Sequence, residues 1–219
     1  MKKLILVLMA ILSFSVSAIY AIEDSNVVAP LRAYTLKNKT ETNFFNGTAI
    51  LIDAKEYGCE GDGYVITASH VVLDTDGKPK LKFEIKVNDV WEDCKLIKYD
   101  IDYDIAVLKC EIPLRGIKIK NEYKEEEVTS ISFPMNKYKV SKGKISVHSY
   151  HQNKARWISD NYIDHGSSGG AIVSKSKGET ELVGLITDGL CLNGSHEMTH
   201  KGTIFLPSKY IIEFLKGGE

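Results

Sequence analysis

Short runs of alternating or β-branched residues recur along most of this chain, and turn-rich segments separate them. Examples are TAILID, KFEIKVN, KISVHSY and ELVGLITDG, with DTDGKPK and SKSKGET among the turn-rich segments. Many short strands at close spacing are typical of an all-β barrel or sandwich. Near the end, PSKYIIEFLK has a Pro-Ser start signal and a following Gly-Gly stop signal. The sequence therefore predicts an all-β fold with a short C-terminal helix over about residues 208–216.

The polar segment KNEYKEEE, at residues 120–127, divides the predicted strands into two groups. We expect the first group over about residues 40–119 and the second over about residues 128–207. The 219 residues are 43% hydrophobic and 26% charged, which is enough apolar material for a sizeable core. The composition favours one compact two-lobed domain or two small domains, and it does not fit a disordered chain.

The N-terminus, MKKLILVLMAILSFSVSAIYA, has two lysines, an apolar run and then the small residues Ser17, Ala18 and Ala21. This pattern predicts a secretory signal over residues 1–21, followed by a secreted or periplasmic domain over residues 22–219. We expect no stable membrane partner after cleavage. The alternative is an uncleaved membrane anchor, since the apolar run approaches the lower length limit for a span. A net charge of −1 without a basic cluster gives no indication of a nucleic-acid partner.

All four cysteines lie beyond the predicted signal, and an even number in an oxidising compartment predicts disulfides. Cys94 and Cys110 flank KLIKYDIDYDIAVLK symmetrically about Asp102, so a hairpin turning there would bring them opposite one another. This spacing predicts a Cys94–Cys110 bridge and leaves Cys59 with Cys191 as the remaining pair. The absence of a CxxC motif argues against a zinc ribbon or a redox motif.

Three further motifs contain the residue types that acyl transfer by a hydroxyl needs. That chemistry uses a nucleophile, a base, a carboxylate that fixes the tautomer of the base, and N–H donors for the oxyanion. His70 ends the predicted strand YVITASH, Asp104 precedes the apolar run IAVL, and Ser168 lies in HGSSGG. Asp100 and Asp102 compete for the carboxylate role, but Asp104 directly adjoins the strand core, where desolvation strengthens a hydrogen bond. Singly, each motif also fits a structural histidine, a turn aspartate or a Gly/Ser hairpin loop.

The glycines around Ser168 predict a tight turn with free amides. Gly166 precedes Ser168 by two positions and Gly169 follows it directly. Glycine adopts backbone conformations that other residues avoid, which leaves the N–H groups of Gly166 and Ser168 free to point at a developing oxyanion.

The segments TASHVV, DIAVLK and GSSGGAIV, in the order His, Asp, Ser, resemble the chymotrypsin-like (trypsin-like) serine peptidases. The resemblance is greatest to the bacterial Deg/HtrA-type peptidase domain, here without a PDZ domain. GTAILID, LVGLITDG and FLPSKYIIEFL extend it from about Asn43 to Leu215. It implies two six-stranded antiparallel β-barrels with the catalytic triad at their interface. In this triad His70 is the general base, Asp104 orients it, and Ser168 is the nucleophile.

The resemblance also implies the activity and the substrate contacts. It implies a serine endopeptidase that acts on protein or peptide substrates without a metal or cofactor. Thr187, Asp188 and Gly189 would line the cleft and pair with the substrate backbone as an added strand. Tyr162 and Ile163 would approach the pocket for the side chain before the scissile bond. Because neither is acidic, we expect weak activity on arginine or lysine substrates.

Ser167 stands where the animal relatives have an aspartate, whose carboxylate pairs with the N-terminal ammonium created by activation cleavage. A neutral hydroxyl cannot compensate a buried ammonium. We therefore expect the Ser167 hydroxyl to hold its loop through hydrogen bonds to nearby backbone, and the protein to be active without a specifically trimmed N-terminus.

Two other interpretations remain open on the sequence. HEMTH, from His196 to His200, matches the zinc-peptidase pattern H-E-x-x-H. Gly194 and Gly202 bracket the segment, its flanks are polar, and the apolar strands on either side leave no room for a long helix. We therefore interpret it as a chance match in a surface loop. The second alternative is a catalytically inert binding module on the same fold. The complete set of triad residue types argues against this.

Overall fold

The computed structural model describes residues 27–38, 41–112, 116–123, 127–151, 154–176, 178–191 and 200–217. Within these ranges, twelve strands form two closed antiparallel barrels of six strands each. The two-barrel fold with a short C-terminal helix is thus confirmed. No helix in the described ranges is both long enough and apolar enough to cross a membrane.

The first barrel holds six strands that adjoin in the order β1-β2-β3-β6-β5-β4. Their bounds are β1 (Val28–Asn38), β2 (Glu41–Leu51), β3 (Tyr64–Thr67), β4 (Lys82–Val87), β5 (Val90–Asp100) and β6 (Ile105–Cys110). This barrel starts at Val28, well before the boundary near residue 40 that the sequence indicated. A proline inside an apolar segment argues against a strand there, but proline is tolerated near the start of a strand. Pro30 lies near the start of β1, where it pairs with Thr48.

The second barrel holds six strands that adjoin in the order β10-β11-β12-β9-β8-β7. Their bounds are β7 (Glu127–Ser132), β8 (Lys139–His151), β9 (Lys154–Ser159), β10 (Ala171–Ser176), β11 (Glu179–Cys191) and β12 (His200–Pro207). The described residues also form two α-helices, α1 (Ser69–Val72) and α2 (Ser208–Leu215). Lys98 of the first barrel donates to the carbonyls of Phe214 and Leu215, at 2.7 and 3.0 Å, and so fastens the end of α2.

Some strands are buried on both faces because they lie between the two barrels. In β6, Ala106 and Leu108 face the interior of the first barrel. Ile105 and Val107 instead join a core cluster that contains residues of both barrels. The same alternation occurs in β10, where Ile172 faces the second barrel interior and its neighbours face the shared cluster. The continuous apolar runs after Asp104 and Ser168 therefore mark strands at the interface.

A disulfide joins Cys94 of β5 to Cys110 of β6, as the symmetric spacing predicted. The two cysteines are also direct cross-strand partners in the register of this hairpin. Cys59 is a free, half-buried cysteine. The predicted second disulfide, between Cys59 and Cys191, is therefore wrong. Spacing predicted the first bridge because both cysteines share one hairpin, whereas Cys59 and Cys191 belong to different barrels.

Candidate active site

His70 lies on the one-turn helix α1, which follows directly after β3. The sequence placed it at the end of the strand, but the strand stops at Thr67 and the chain turns into the helix at Ser69. Val71 and Val72 are buried, so they fasten the helix to the barrel, while the imidazole remains about half exposed. A histidine anchored in this way presents its ring to the space between the barrels.

Asp104 contacts the ring of His70 from the turn between β5 and β6. Its Oδ2 lies 2.8 Å from His70 Nδ1, and its Oδ1 accepts hydrogen bonds from the His70 N–H at 3.0 Å and the Ser69 hydroxyl at 2.9 Å. Asp104 has a φ of 48°, in the left-handed region that aspartate tolerates better than most residues. The carboxylate of Asp100 accepts the Tyr103 N–H instead. Asp102 lines the cleft together with His70, but among the described hydrogen bonds the His70 ring contacts only Asp104.

The pKa values of the pair shift in opposite directions. Burial raises the pKa of Asp104, but hydrogen bonds and the charge of His70, with the Ser69 hydroxyl, outweigh it and hold the pKa below its usual range. Burial lowers the pKa of His70, but the hydrogen bond and charge of Asp104, with the charge of Asp188, raise it above the usual value. The arrangement therefore stabilises an imidazolium next to a carboxylate.

Lys80 supports the helix that carries His70. Its buried ammonium donates to the Val71 carbonyl at 2.7 Å and to the His70 carbonyl at 3.5 Å, and it lies 4.3 Å from the centre of the Phe45 ring. Burial lowers the pKa of Lys80. Its charge also opposes the carboxylates by lowering the pKa of His70. Nothing in the local sequence pattern indicates this role, because the contact depends on how the chain returns after α1.

The Ser168 loop contains a tight turn from Asp164 to Ser167, closed by a backbone hydrogen bond of 2.9 Å. Gly166 has a φ of 86°, as the third position of such a turn requires of glycine. The N–H groups of Ser167, Gly169 and Gly170 all donate to backbone carbonyls. The N–H groups of Gly166 and Ser168 donate to no acceptor among the described residues. Both predicted oxyanion donors are thus available.

Ser167 is fully buried, and its hydroxyl is part of the loop structure. The Ser167 oxygen accepts the Asp164 N–H at 3.1 Å and the Ser132 hydroxyl at 3.0 Å. The expected contact between the Ser167 hydroxyl and nearby backbone is therefore present, with the oxygen as acceptor. The buried side chain at this position is thus a neutral hydroxyl that is hydrogen-bonded to a second hydroxyl, on Ser132.

Thr48 of the first barrel docks the Ser168 loop of the second. Its N–H donates to the Ser168 carbonyl at 2.9 Å, and its hydroxyl donates to the Gly166 carbonyl at 2.9 Å. Beside it, a Cβ on Gly47 would lie 2.6 Å from a Val71 methyl and 3.4 Å from the Ser168 carbonyl oxygen. The loop therefore packs next to α1. No hydrogen bond joins the Ser168 hydroxyl to the His70 ring among the described contacts.

A cleft with a volume of about 670 Å³ opens beside His70, between the two barrels. Of the residues predicted to bind substrate, Thr187 and Asp188 line this cleft, and Gly189 follows them on β11. Ile163 is buried in the core of the second barrel and Tyr162 lies on the surface, so neither described side chain lines it. The other lining residues are Ile101, Asp102, Asp104, Arg156, Ile158, Leu190 and Ile204.

The zinc-peptidase pattern falls largely outside the described residues. His196 is one of the residues that are not described, and His200 is the first residue of β12. The zinc interpretation therefore stays a sequence hypothesis.

The family model for the trypsin-like peptidase domain matches residues 47–185. This chain belongs to that family. The match includes all three motifs that suggested the triad, and it excludes β1 and the C-terminal helix of the fold. No curated protein sequence matches the chain.

Solved structures with the same fold are HtrA-type and related proteases. The HtrA-type protease AlgW with a decapeptide has a TM-score of 0.65 and 20% sequence identity, over 87% of this chain. This chain spans 63% of the length of that AlgW chain. The active form of the Rv3671c protease from M. tuberculosis has a TM-score of 0.67 and 14% identity, over 88% of this chain and 82% of that one. At these identities the likeness concerns the fold.

Proposed function

We propose that this protein is an exported serine endopeptidase that uses Ser168, His70 and Asp104. The observation that carries the proposal is the His70–Asp104 pair, at 2.8 Å, beside the loop that presents the Gly166 and Ser168 amides. A base held by a carboxylate and two available N–H donors are the parts that acyl transfer needs besides the hydroxyl. Hydrogen bonds to the nucleophile are often long in a free enzyme and tighten when substrate binds.

The reaction divides into two proton-balanced stages. The Ser168 oxygen attacks the peptide carbonyl carbon while His70 takes the hydroxyl proton, and the Gly166 and Ser168 amides bind the resulting oxyanion. The tetrahedral species collapses to an acyl-enzyme when His70 protonates the departing amine. Water then attacks the acyl group, His70 again accepts and returns a proton, and the peptide acid leaves. Throughout the reaction, Asp104 holds His70 in the tautomer with a proton on Nδ1, which leaves Nε2 to act as the base.

The cleft geometry supports extended peptide substrates. The free edge of β11 at Thr187, Asp188 and Gly189 can take a peptide as an added strand. The AlgW relative is described with a decapeptide, which agrees with this class of ligand. The expectation of weak cleavage after arginine or lysine rests on the sequence alone, because neither Tyr162 nor Ile163 lines the cleft. The Cys94–Cys110 bridge fits the export that the N-terminal segment predicts.

A fluorophosphonate probe tests the nucleophile directly. The wild-type protein should be labelled and should cleave a mixed peptide library, whereas Ser168→Ala should lose both the label and nearly all cleavage. Ser146→Ala is a matched control, because this exposed serine lies on β8 away from the loop. The Ser146→Ala variant should keep both the label and the cleavage activity. Cleavage near the wild-type rate in Ser168→Ala would overturn the proposal.

The same preparation separates the two alternatives. A folded wild-type protein that takes up no label and cleaves nothing would be an inert binding module. Cleavage that a chelator abolishes and the phosphonate does not affect would indicate a zinc peptidase that uses His196 and His200.

A further inference from the structure

Asp188, which lines the cleft, hydrogen-bonds to its own backbone neighbour. Its carboxylate Oδ1 accepts a hydrogen bond of 2.7 Å from the N–H of the next residue, Gly189. The Asp188 side chain is exposed and lines the cleft together with His70. The negative charge of Asp188 also helps to raise the pKa of His70.

The strand register shows why this amide matters. Pairing of β11 with β10 ends at Ala171 and Leu185, whereas pairing with β12 continues through Asp188 and Gly189. Ile186 still exchanges backbone hydrogen bonds with Gly169 and Gly170, at 2.8 Å each. Beyond Ile186, β11 has β12 on one side and lines the cleft at Thr187 and Asp188. Free N–H groups on such an edge are the donors that an added peptide strand uses. The Gly189 donor is already occupied by a carboxylate of the same chain.

We propose that Asp188 is a specificity-determining residue that caps the Gly189 N–H and makes extended substrates displace it. This inference rests on the proposed peptidase function. A substrate whose backbone reaches Gly189 offers a neutral carbonyl as acceptor, which is a weaker partner than the carboxylate that leaves. A substrate too short to reach Gly189 leaves the cap in place. Asp188 therefore reduces the gain in binding that a longer acyl segment would otherwise give.

The exchange needs no rearrangement of the fold. Asp188 is exposed, so the released carboxylate can turn into water. The strand below it is held by β12 through the Asp188–Ile204 and Gly189–Thr203 pairs. Only the side chain has to move, and the donor remains in position for the substrate carbonyl.

The test compares two substrates with the same residue before the scissile bond, one with a four-residue acyl segment and one with a single residue. The measured quantity is the ratio of kcat/KM for the long substrate to that for the short one. Asp188→Ala should raise this ratio about three- to tenfold, which lies within the range that the net contribution of one ordinary, solvent-exposed hydrogen bond gives. Asp188→Asn, which keeps an acceptor oxygen without the charge, should give an intermediate ratio.

Leu190→Ala is the control, because Leu190 lines the same cleft without a carboxylate and should not raise the ratio. An unchanged or lower ratio in both Asp188 variants would overturn the cap while leaving the peptidase proposal intact. Loss of Ser168-dependent cleavage in the wild-type protein would instead overturn the proposed function itself.

Discussion

At the scale of single residues, the base His70 lies among charges of both signs. Asp104 and Asp188 raise its pKa, whereas burial and Lys80 lower it. Only neutral imidazole can accept the Ser168 proton, so activity should disappear as the pH falls through the raised pKa. The balance of these groups therefore sets the lower pH limit of the proposed reaction.

Removing the negative charge of Asp104 and removing the positive charge of Lys80 should move the pKa of His70 in opposite directions. Asp104→Asn removes the carboxylate that favours imidazolium, so the pKa should fall. Lys80→Met removes a nearby cation and keeps an apolar stem of similar length, so the pKa should rise. Titration of the His70 ring by NMR in a Ser168→Ala background measures both shifts without self-cleavage.

Lys78→Met is the matched control for Lys80, since it removes the same charge from an exposed lysine two residues away. It should move the pKa of His70 less than Lys80→Met does. Shifts of the same sign in Asp104→Asn and Lys80→Met would contradict this account of the site.

Sequence reasoning at this scale predicted the contact between His70 and Asp104, which the structure contains, and missed the residues that hold this pair and the Ser168 loop in place. Asp104 could be chosen over Asp100 and Asp102 because it adjoins a buried strand. Lys80 and Thr48 could not be chosen, because their contacts join segments that are distant along the chain. Thr48 reaches Gly166 across 118 positions, and no local pattern encodes such a pairing.

At the scale of elements, the β5–β6 hairpin combines the Asp104 turn with the Cys94–Cys110 bridge. The two cysteines oppose one another at the far end of the hairpin, 16 residues apart in sequence. Closing a loop of this length restricts the unfolded chain and stabilises the fold by roughly 3 kcal/mol on the chain-entropy estimate. The hairpin was predictable because its symmetry is visible in the sequence, whereas β1 was missed because Pro30 interrupts its pattern.

Loss of the bridge should therefore lower the free energy of unfolding by roughly 3 kcal/mol. Urea denaturation of a Cys94→Ala/Cys110→Ala double variant measures this against the wild-type protein. A reducing agent should lower the midpoint of the wild-type protein and leave that of the double variant unchanged. Cys59→Ala should still respond to the reducing agent, because Cys59 is free. Equal midpoints for oxidised wild type and the double variant would contradict the expected stabilisation.

At the scale of the whole molecule, the site depends on how the two barrels meet. Thr48 of the first barrel holds the Ser168 loop of the second, and Arg156 of the second donates to the Asp102 carbonyl beside Asp104 at 3.1 Å. The polar segment at residues 120–127 lies between the last strand of the first barrel, which ends at Cys110, and the first strand of the second, which begins at Glu127. Contacts across that boundary could not be predicted, because they arise only when both barrels have formed.

The way the Ser168 loop is held leads to a prediction about the N-terminus. The hydroxyls of Ser167 and Ser132 bond to each other in a fully buried position, and the Asp164 N–H completes the arrangement. An ammonium buried there would find no carboxylate on Ser167, and an unpaired buried charge is costly. Forms of the protein that start at Ala21, at Ile22 and with two extra residues ahead of Ile22 should therefore cleave a peptide substrate at similar rates. Activity in only one of the three would mean that the N-terminus completes the oxyanion loop, and the role assigned here to Ser167 would be wrong.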